Sequence, residues 1–281
     1  MGVWYTNRAA VKAALTIPVT TTGQDAALDA VMESISREID LYVGFGFAPS
    51  SGSRDYTPKH ADTLDLDYPL LSIDSLVADH DANASYEVTM TATTYYLTPT
   101  NATAETPRRP FWGLDVRQTA TAVFPKAIQR GVRITGTWGY YDERRTSSSV
   151  LTTSVNSTAL TLTLTNASQL SAGHLLLLDS ERIQVTDVST TAATGTVVGV
   201  LRGRNGTSGA AHSSGAIPEV YEFPVVERAA LYQAELDYRV KDAPFGMAGG
   251  EAFGAQSPQP GGGLHPFTKR LLDQFRVPGA Y

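Results

Sequence analysis

The 281-residue sequence contains no cysteine, so disulfides, thiolate metal sites and a cysteine nucleophile are excluded. Long apolar runs are missing as well. The longest uninterrupted aliphatic stretch runs from Leu175 to Leu178, far short of the ~20 residues that cross a bilayer, and residues 1–12 hold no apolar segment of the kind a signal peptide needs. The sequence therefore predicts a soluble protein, made and used without export and without a membrane partner. Charge is sparse: Asp, Glu, Lys and Arg make up 18% of the chain, against ~25% in ordinary soluble domains. With 28 acidic and 22 basic side chains the net charge is −6, so a surface that grips phosphates through clustered Lys and Arg is not expected. If such a chain meets DNA, it lets it pass.

Catalytic signatures are scarce in the same way. The five histidines, His60, His80, His174, His212 and His265, form no HExxH pair and no short HxH spacing, which argues against zinc. The GxSxG elbow of a serine nucleophile is absent. The glycines of GFGFAPSSG, 44–52, follow a predicted helix instead of opening one, and GRNGTSG, 203–209, has neither a following Lys nor a helix, so neither reads as a phosphate loop. Asp62, Asp65 and Asp67 surround a strand and lack the Gly and terminal Glu of a calcium loop; they read as a solvated strand face. Glu87, Glu105, Glu181 and Asp187 could supply a glycosidase pair only in the sense that any chain this long could. No catalytic residue, metal ligand or cofactor is predicted, and the chain reads as a non-enzyme.

What is present suffices for a folded protein: 42% hydrophobic residues can fill the core of one or two domains. A short helix is predicted over 7–15, capped by Thr6 and ended before Pro18. From 24 to 43, Leu28, Met32, Ile35, Ile39 and Tyr42 recur every three or four residues, an amphipathic helix stopped by Gly44, Gly46 and Pro49. From 54 to 141 the signals are short β runs: 63–66, then 73–77 after a Pro69 turn, then 86–97 and 132–138. Residues 148–218 read as an inserted β unit, in which Leu160, Leu162 and Leu164 alternate with Thr, 175–178 turn at Asp179-Ser180-Glu181 into Ile183 and Val185, and 197–201 add another strand. Helix returns at Pro224 and runs to 241. A Gly-, Pro- and Ala-rich tether over 244–263 then leads to a last helix opened by Pro266, in which Phe267, Leu271 and Phe275 repeat every four residues beside Leu264. An isolated helix shorter than ~12 residues is marginal in water, so this one needs a partner surface, its own subunit or another chain.

Five blocks in order, YTNRAAVKAALTI, DAALDAVMESISREIDLYVGFGF, RDYTPKHADTLDLDYPLLSIDSL, VRITGTWGYYD and the helix ending YRVKDAPFGMAGG, resemble the head-tail connector (adaptor) proteins of long-tailed bacteriophages and related gene transfer particles. The resemblance spans 1–145 and 218–281, and its specificity lies in the order of the blocks. It implies a helical bundle with β hairpins, formed here by 1–147 and 219–263 with 264–281 as a C-terminal docking helix and tail; the small all-β barrel or sandwich read over 148–218 departs from compact members of that family as an insertion, so the fold expected for the whole chain is α+β. It further implies a ring, usually of twelve subunits, at the head-tail junction or neck of the virion, assembled in the host cytoplasm. In that family the C-terminal segment commonly engages the portal protein, a downstream neck, stopper or tail protein binds the opposite end, and DNA passes through the centre without specific binding. The matching portal-binding residues here are Leu264, Phe267, Leu271, Phe275 and Tyr281. The alternative is a tail or capsid decoration protein whose β module binds a host surface or glycan. Sugar sites usually stack an aromatic ring, and residues 151–218 contain no Trp, Phe or Tyr.

Overall fold

The structure, a computed structural model, describes residues 2–104, 108–189, 195–240 and 263–276. In chain order its elements are α1 (Arg8–Ala14), α2 (Asp25–Val43), β1 (Ser50–Tyr56), β2 (Thr63–Ala78), β3 (Val88–Thr89), β4 (Tyr95–Thr98), β5 (Phe111–Val116), β6 (Val132–Trp138), β7 (Arg144–Thr146), β8 (Thr161–Leu164), β9 (Leu175–Leu178), β10 (Glu181–Val188), β11 (Thr196–Leu201), β12 (Glu219–Tyr221), α3 (Pro224–Val240) and α4 (Pro266–Leu272). They fall into two compact units. Residues 1–44, 144–204 and 208–281 make the first, and residues 45–143 with 205–207 the second.

In the first unit, α2 forms where the apolar spacing predicts it and buries Leu28, Met32, Ile35, Ile39 and Val43 along one face. Gly44 ends it in the left-handed conformation at φ 94°, its amide bonded to the Asp40 carbonyl, a position that an L side chain adopts only at a cost. The cap of α1 is Asn7, whose Oδ1 accepts from the Ala10 amide at 3.0 Å; Thr6, the expected cap, is instead buried in the extended segment before it. That segment is tied to α2, with the Gly2 amide and the Trp4 indole donating to the two carboxylate oxygens of Glu33. Arg8 adds ion pairs to Asp25 and Asp29.

The sheet of this unit has six antiparallel strands in the order β7-β12-β9-β10-β11-β8. β9 and β10 form a hairpin through Asp179, which takes a positive φ of 53°. Leu162, Leu164, Leu176, Leu178, Ile183, Val185, Val198 and Val200 fill the core against it, with Leu151 and Val220 from the flanking chain. Leu160, which alternates with Leu162 and Leu164 in sequence, falls one residue before β8 and is exposed.

The second unit carries the other six-stranded antiparallel sheet, ordered β1-β6-β2-β5-β4, with β3 on β2. β6 shows the predicted alternation, Val132, Ile134 and Trp138 facing the core. β1 runs in unbroken register from Ser50 opposite Trp138 to Tyr56 opposite Val132. β2 is one 16-residue strand that passes straight through Pro69. Its pairing slips between Asp65 and Leu70 against β5, and twice against β6, and such irregular positions tolerate the missing amide of a proline. Asp65 and Asp67 lie on the exposed face of β2 while Leu64 and Leu66 are buried on the other. Phe45 and Phe47, from the glycine-rich 44–52 stretch, are buried and pack with Tyr140.

The expected helical bundle with β hairpins and a small inserted barrel or sandwich is therefore corrected. The chain is mostly β, two antiparallel sheets of six strands each, with four helices among the described residues, two of them seven residues long. Two physical reasons account for the difference. The runs read as hairpin decoration close into a full sheet with its own core, because β1 and β5 supply strands that no apolar alternation announces. The strands of the supposed insert, in turn, pair onward through β12 to β7, so flanking chain completes their sheet.

Candidate functional site

The site built from the predicted residues is α4 and the surface that receives it. α3 begins with Pro224, whose fixed φ suits a first helical turn, and its Ala229, Ala230 and Ala234 are fully buried, small enough for neighbouring helices to approach closely. Gln233 is buried among them. Its Oε1 accepts from the His265 amide at 2.8 Å and from the Thr268 hydroxyl at 3.1 Å, while its Nε2 donates to Asp237 at 2.8 Å. One side-chain amide thus satisfies an otherwise free amide at the start of α4 and a buried hydroxyl. His265 caps the same helix, Nδ1 accepting from the Phe267 amide at 3.1 Å.

The stripe that α4 and its following turn bury is Leu264, Thr268, Leu272 and Phe275. Of the five residues predicted to bind the portal, Leu264 and Phe275 are thus packed into their own chain. Phe267 and Leu271 are half-buried. Tyr281 lies outside the described residues, as do residues 244–262 of the expected tether. Phe267 packs against exposed Tyr232 with the rings tilted by 58° and their centroids 4.7 Å apart, and the guanidinium groups of Arg228 and Arg270 lie 5.6 and 5.4 Å from its ring. On the α2 side, Tyr42 donates to Asp273, and Lys269 and Arg276 lie over its ring. The result is an aromatic and aliphatic ridge, Tyr232, Phe267 and Leu271, with Arg228 and Arg270 beside it, on a chain whose net charge is −6.

Burial shifts the acids that line the helices beneath. Glu38 is pushed above the ordinary carboxylate range by burial and by Asp237, and Asp237 is itself raised by burial against the pull of Gln233. Sequence reasoning missed Gln233, Thr268 and Leu272. A spacing of four from Leu264 through Thr268 to Leu272 is as regular as that through the phenylalanines, but a threonine in the middle of it conceals the apolar stripe.

A second constellation is brought together in the first unit that no sequence motif announces. Glu181 is fully buried and takes five donors: Arg202 through Nε at 2.8 Å and Nη2 at 2.6 Å, the amides of Gly203 at 2.7 Å and Ala210 at 2.9 Å, and His212 Nε2 at 2.9 Å. Asp179 holds the other nitrogen of His212 at 2.6 Å. Burial pushes the Glu181 carboxyl up, but the Arg202 guanidinium, the two amides and His212 bring it down to about 2. Its acceptor capacity is used up by these groups, so the chemistry it performs is to clamp the glycine-rich 203–210 loop onto the sheet. A cleft of about 310 Å³ near the N-terminal segment contains Arg145 and His174. There Arg145 pairs with Glu222 and Gln169, and burial, reinforced by Arg145, lowers His174 to about 4, which keeps that imidazole neutral at physiological pH. No family model, curated protein or solved structure matches the chain.

Proposed function

We propose that this chain is a structural virion protein, a head-tail connector that assembles as a ring under the portal, lets DNA through its centre and receives the next neck or tail protein. The observation that carries this reading is α4. A seven-residue helix at the far end of a Gly- and Pro-rich stretch is too short to hold itself in water. It docks on α3, whose Gln233 bonds the His265 amide and the Thr268 hydroxyl, with Leu264, Thr268, Leu272 and Phe275 buried, and it leaves Phe267, Leu271 and Tyr232 partly accessible beside Arg228 and Arg270. Half-buried aromatic anchors beside arginines are the residue types that dominate protein interfaces. The order of the five sequence blocks supplies the identity of the partner; the helical bundle is no part of the support.

Two roles then separate along one helix. Leu264, Leu272 and Phe275 seat α4, while Phe267 and Leu271 meet the portal. The test is to mix the chain with the portal protein of the same particle and image the product by negative-stain electron microscopy. The expected result is ring density added beneath the portal by the full chain and lost both on truncation after Gly263 and in the Phe267→Ala/Leu271→Ala variant. Absence of added density with the full chain would overturn the connector reading; density retained by the double variant would overturn the assignment of the ridge.

A further inference from the structure

The turn that joins β2 to β3 in the second unit runs through Asp79, His80, Asp81, Asn83 and Glu87, and we propose that Asp79, Asp81 and Glu87 form a calcium site. One carboxylate oxygen from each of the three lies within 4.8 Å of the others. Oxygens that share one Ca²⁺ at bond lengths of ~2.3–2.6 Å are separated by at most ~5 Å, so the three can meet a single ion where they stand.

The second observation is Asp79 itself. The residue is 3% exposed, its Oδ2 accepts from the Ala84 amide at 2.8 Å, and its Oδ1 is buried with no hydrogen-bond partner. A buried carboxylate oxygen without a donor is costly, and a coordinated cation removes that cost. No basic side chain of the described residues pairs with the three acids, and Arg130 and Arg133, the arginines at the start of the neighbouring strand, are committed to Asp55.

The donor set fixes the metal class. Oxygen-only, anionic ligands suit a hard cation, and the absence of imidazole or thiolate disfavours zinc and copper. Asp81 and Glu87 also accept hydrogen bonds from the loop, from the Asn83 amide and side chain and from the His80 amide, and a carboxylate oxygen that accepts one hydrogen bond keeps a second lone pair available to a cation. Three carboxylates on an exposed turn leave room for water ligands, which suits Ca²⁺ better than the strict octahedron of Mg²⁺ and places the affinity in the weak range of ~10⁻⁴–10⁻³ M.

The test uses the full chain after treatment with EDTA. Tyrosine-sensitised Tb³⁺ luminescence, for which Tyr86 stands next to Glu87, is expected to rise on Tb³⁺ addition and to be displaced by millimolar Ca²⁺ but not by equal Mg²⁺. The Asp81→Asn/Glu87→Gln variant is expected to bind Ca²⁺ at least tenfold more weakly in calorimetric titration, with unchanged circular dichroism in EDTA, because both side chains are exposed. Asp79→Asn should abolish binding, and the exposed pair decides the matter if that variant does not fold. Calcium binding that is absent, or that is equal in the double variant and the parent chain, would overturn the proposal.

Discussion

At the scale of single residues, the most consequential side chain outside α4 is Glu181. Its folded pKa of about 2 lies below the ordinary 4.5, so the unfolded chain takes up a proton more readily than the folded one. The stability that this group contributes is fully present above pH ~4.5 and is lost as pH falls towards 2, in total about 3 kcal/mol at ~1.4 kcal/mol per unit. Hydrogen exchange at the Gly203 and Ala210 amides, both donors to this carboxylate, should accelerate over that window. Glu181→Gln should accelerate it at neutral pH by leaving Arg202 buried without its counter-charge, at a cost of about 3–5 kcal/mol; unchanged protection would show that the loop is held by something else. None of this was legible in the sequence. Glu181 reads there as the end of a turn, and what makes it a clamp is the return of Arg202 and His212 from 21 and 31 residues away.

Single elements show where sequence patterns carry structural information and where they stop. α2 and β6 lie within a residue or two of their predicted limits because each has an apolar period matched to its own geometry, and β9 lies where the continuous run Leu175–Leu178 places it. β1, SSGSRDY, has almost no apolar residue and owes its existence to pairing with β6, information held in the partner and not in the strand. β2 crosses Pro69, which reads as a turn until bulges against both neighbours make room for it. β2 also lies close against Gly136 in β6, where a Cβ would stand 2.0 Å from the Ser72 carbonyl oxygen. Gly136→Ala should therefore break the β2–β6 pairing and cost several kcal/mol, seen as a fall in the denaturation midpoint of the second unit followed by tryptophan fluorescence. At the other end of the chain, α4 was legible as a helix and as one that needs a surface, but the face it buries is turned from the one expected. Leu272→Ala should cost about 2–5 kcal/mol of docking and expose the C-terminal segment to limited proteolysis. Phe267→Ala should leave it protected while weakening attachment to the portal protein proposed as its partner. Equal protease sensitivity of the two variants would contradict the division of roles.

For the molecule as a whole, the two units have separate cores, one around Leu70, Leu114, Ile134 and Trp138 and another around Leu162, Leu176 and Ile183. Cores that share no residue lose their packing independently, so scanning calorimetry should resolve two transitions. Trp4 belongs to the first unit, Trp112 and Trp138 to the second, so Trp4→Phe identifies which transition is which. A single transition with matching calorimetric and van't Hoff enthalpies would contradict this. The division itself is written in the chain in an unusual way. Residues 205–207 are counted with the second unit although 204 and 208 belong to the first; there the Asn205 carbonyl accepts from the Ser51 amide at 2.9 Å and its side chain donates to the Pro49 carbonyl at 3.0 Å. The coding order thus changes unit four times, and recombination, which exchanges modules between genomes by moving uninterrupted stretches, has no pair of breakpoints that lifts out either unit whole. A transfer of 45–143 alone would arrive without Asn205, so the two units are expected to be inherited together and to diverge as one lineage.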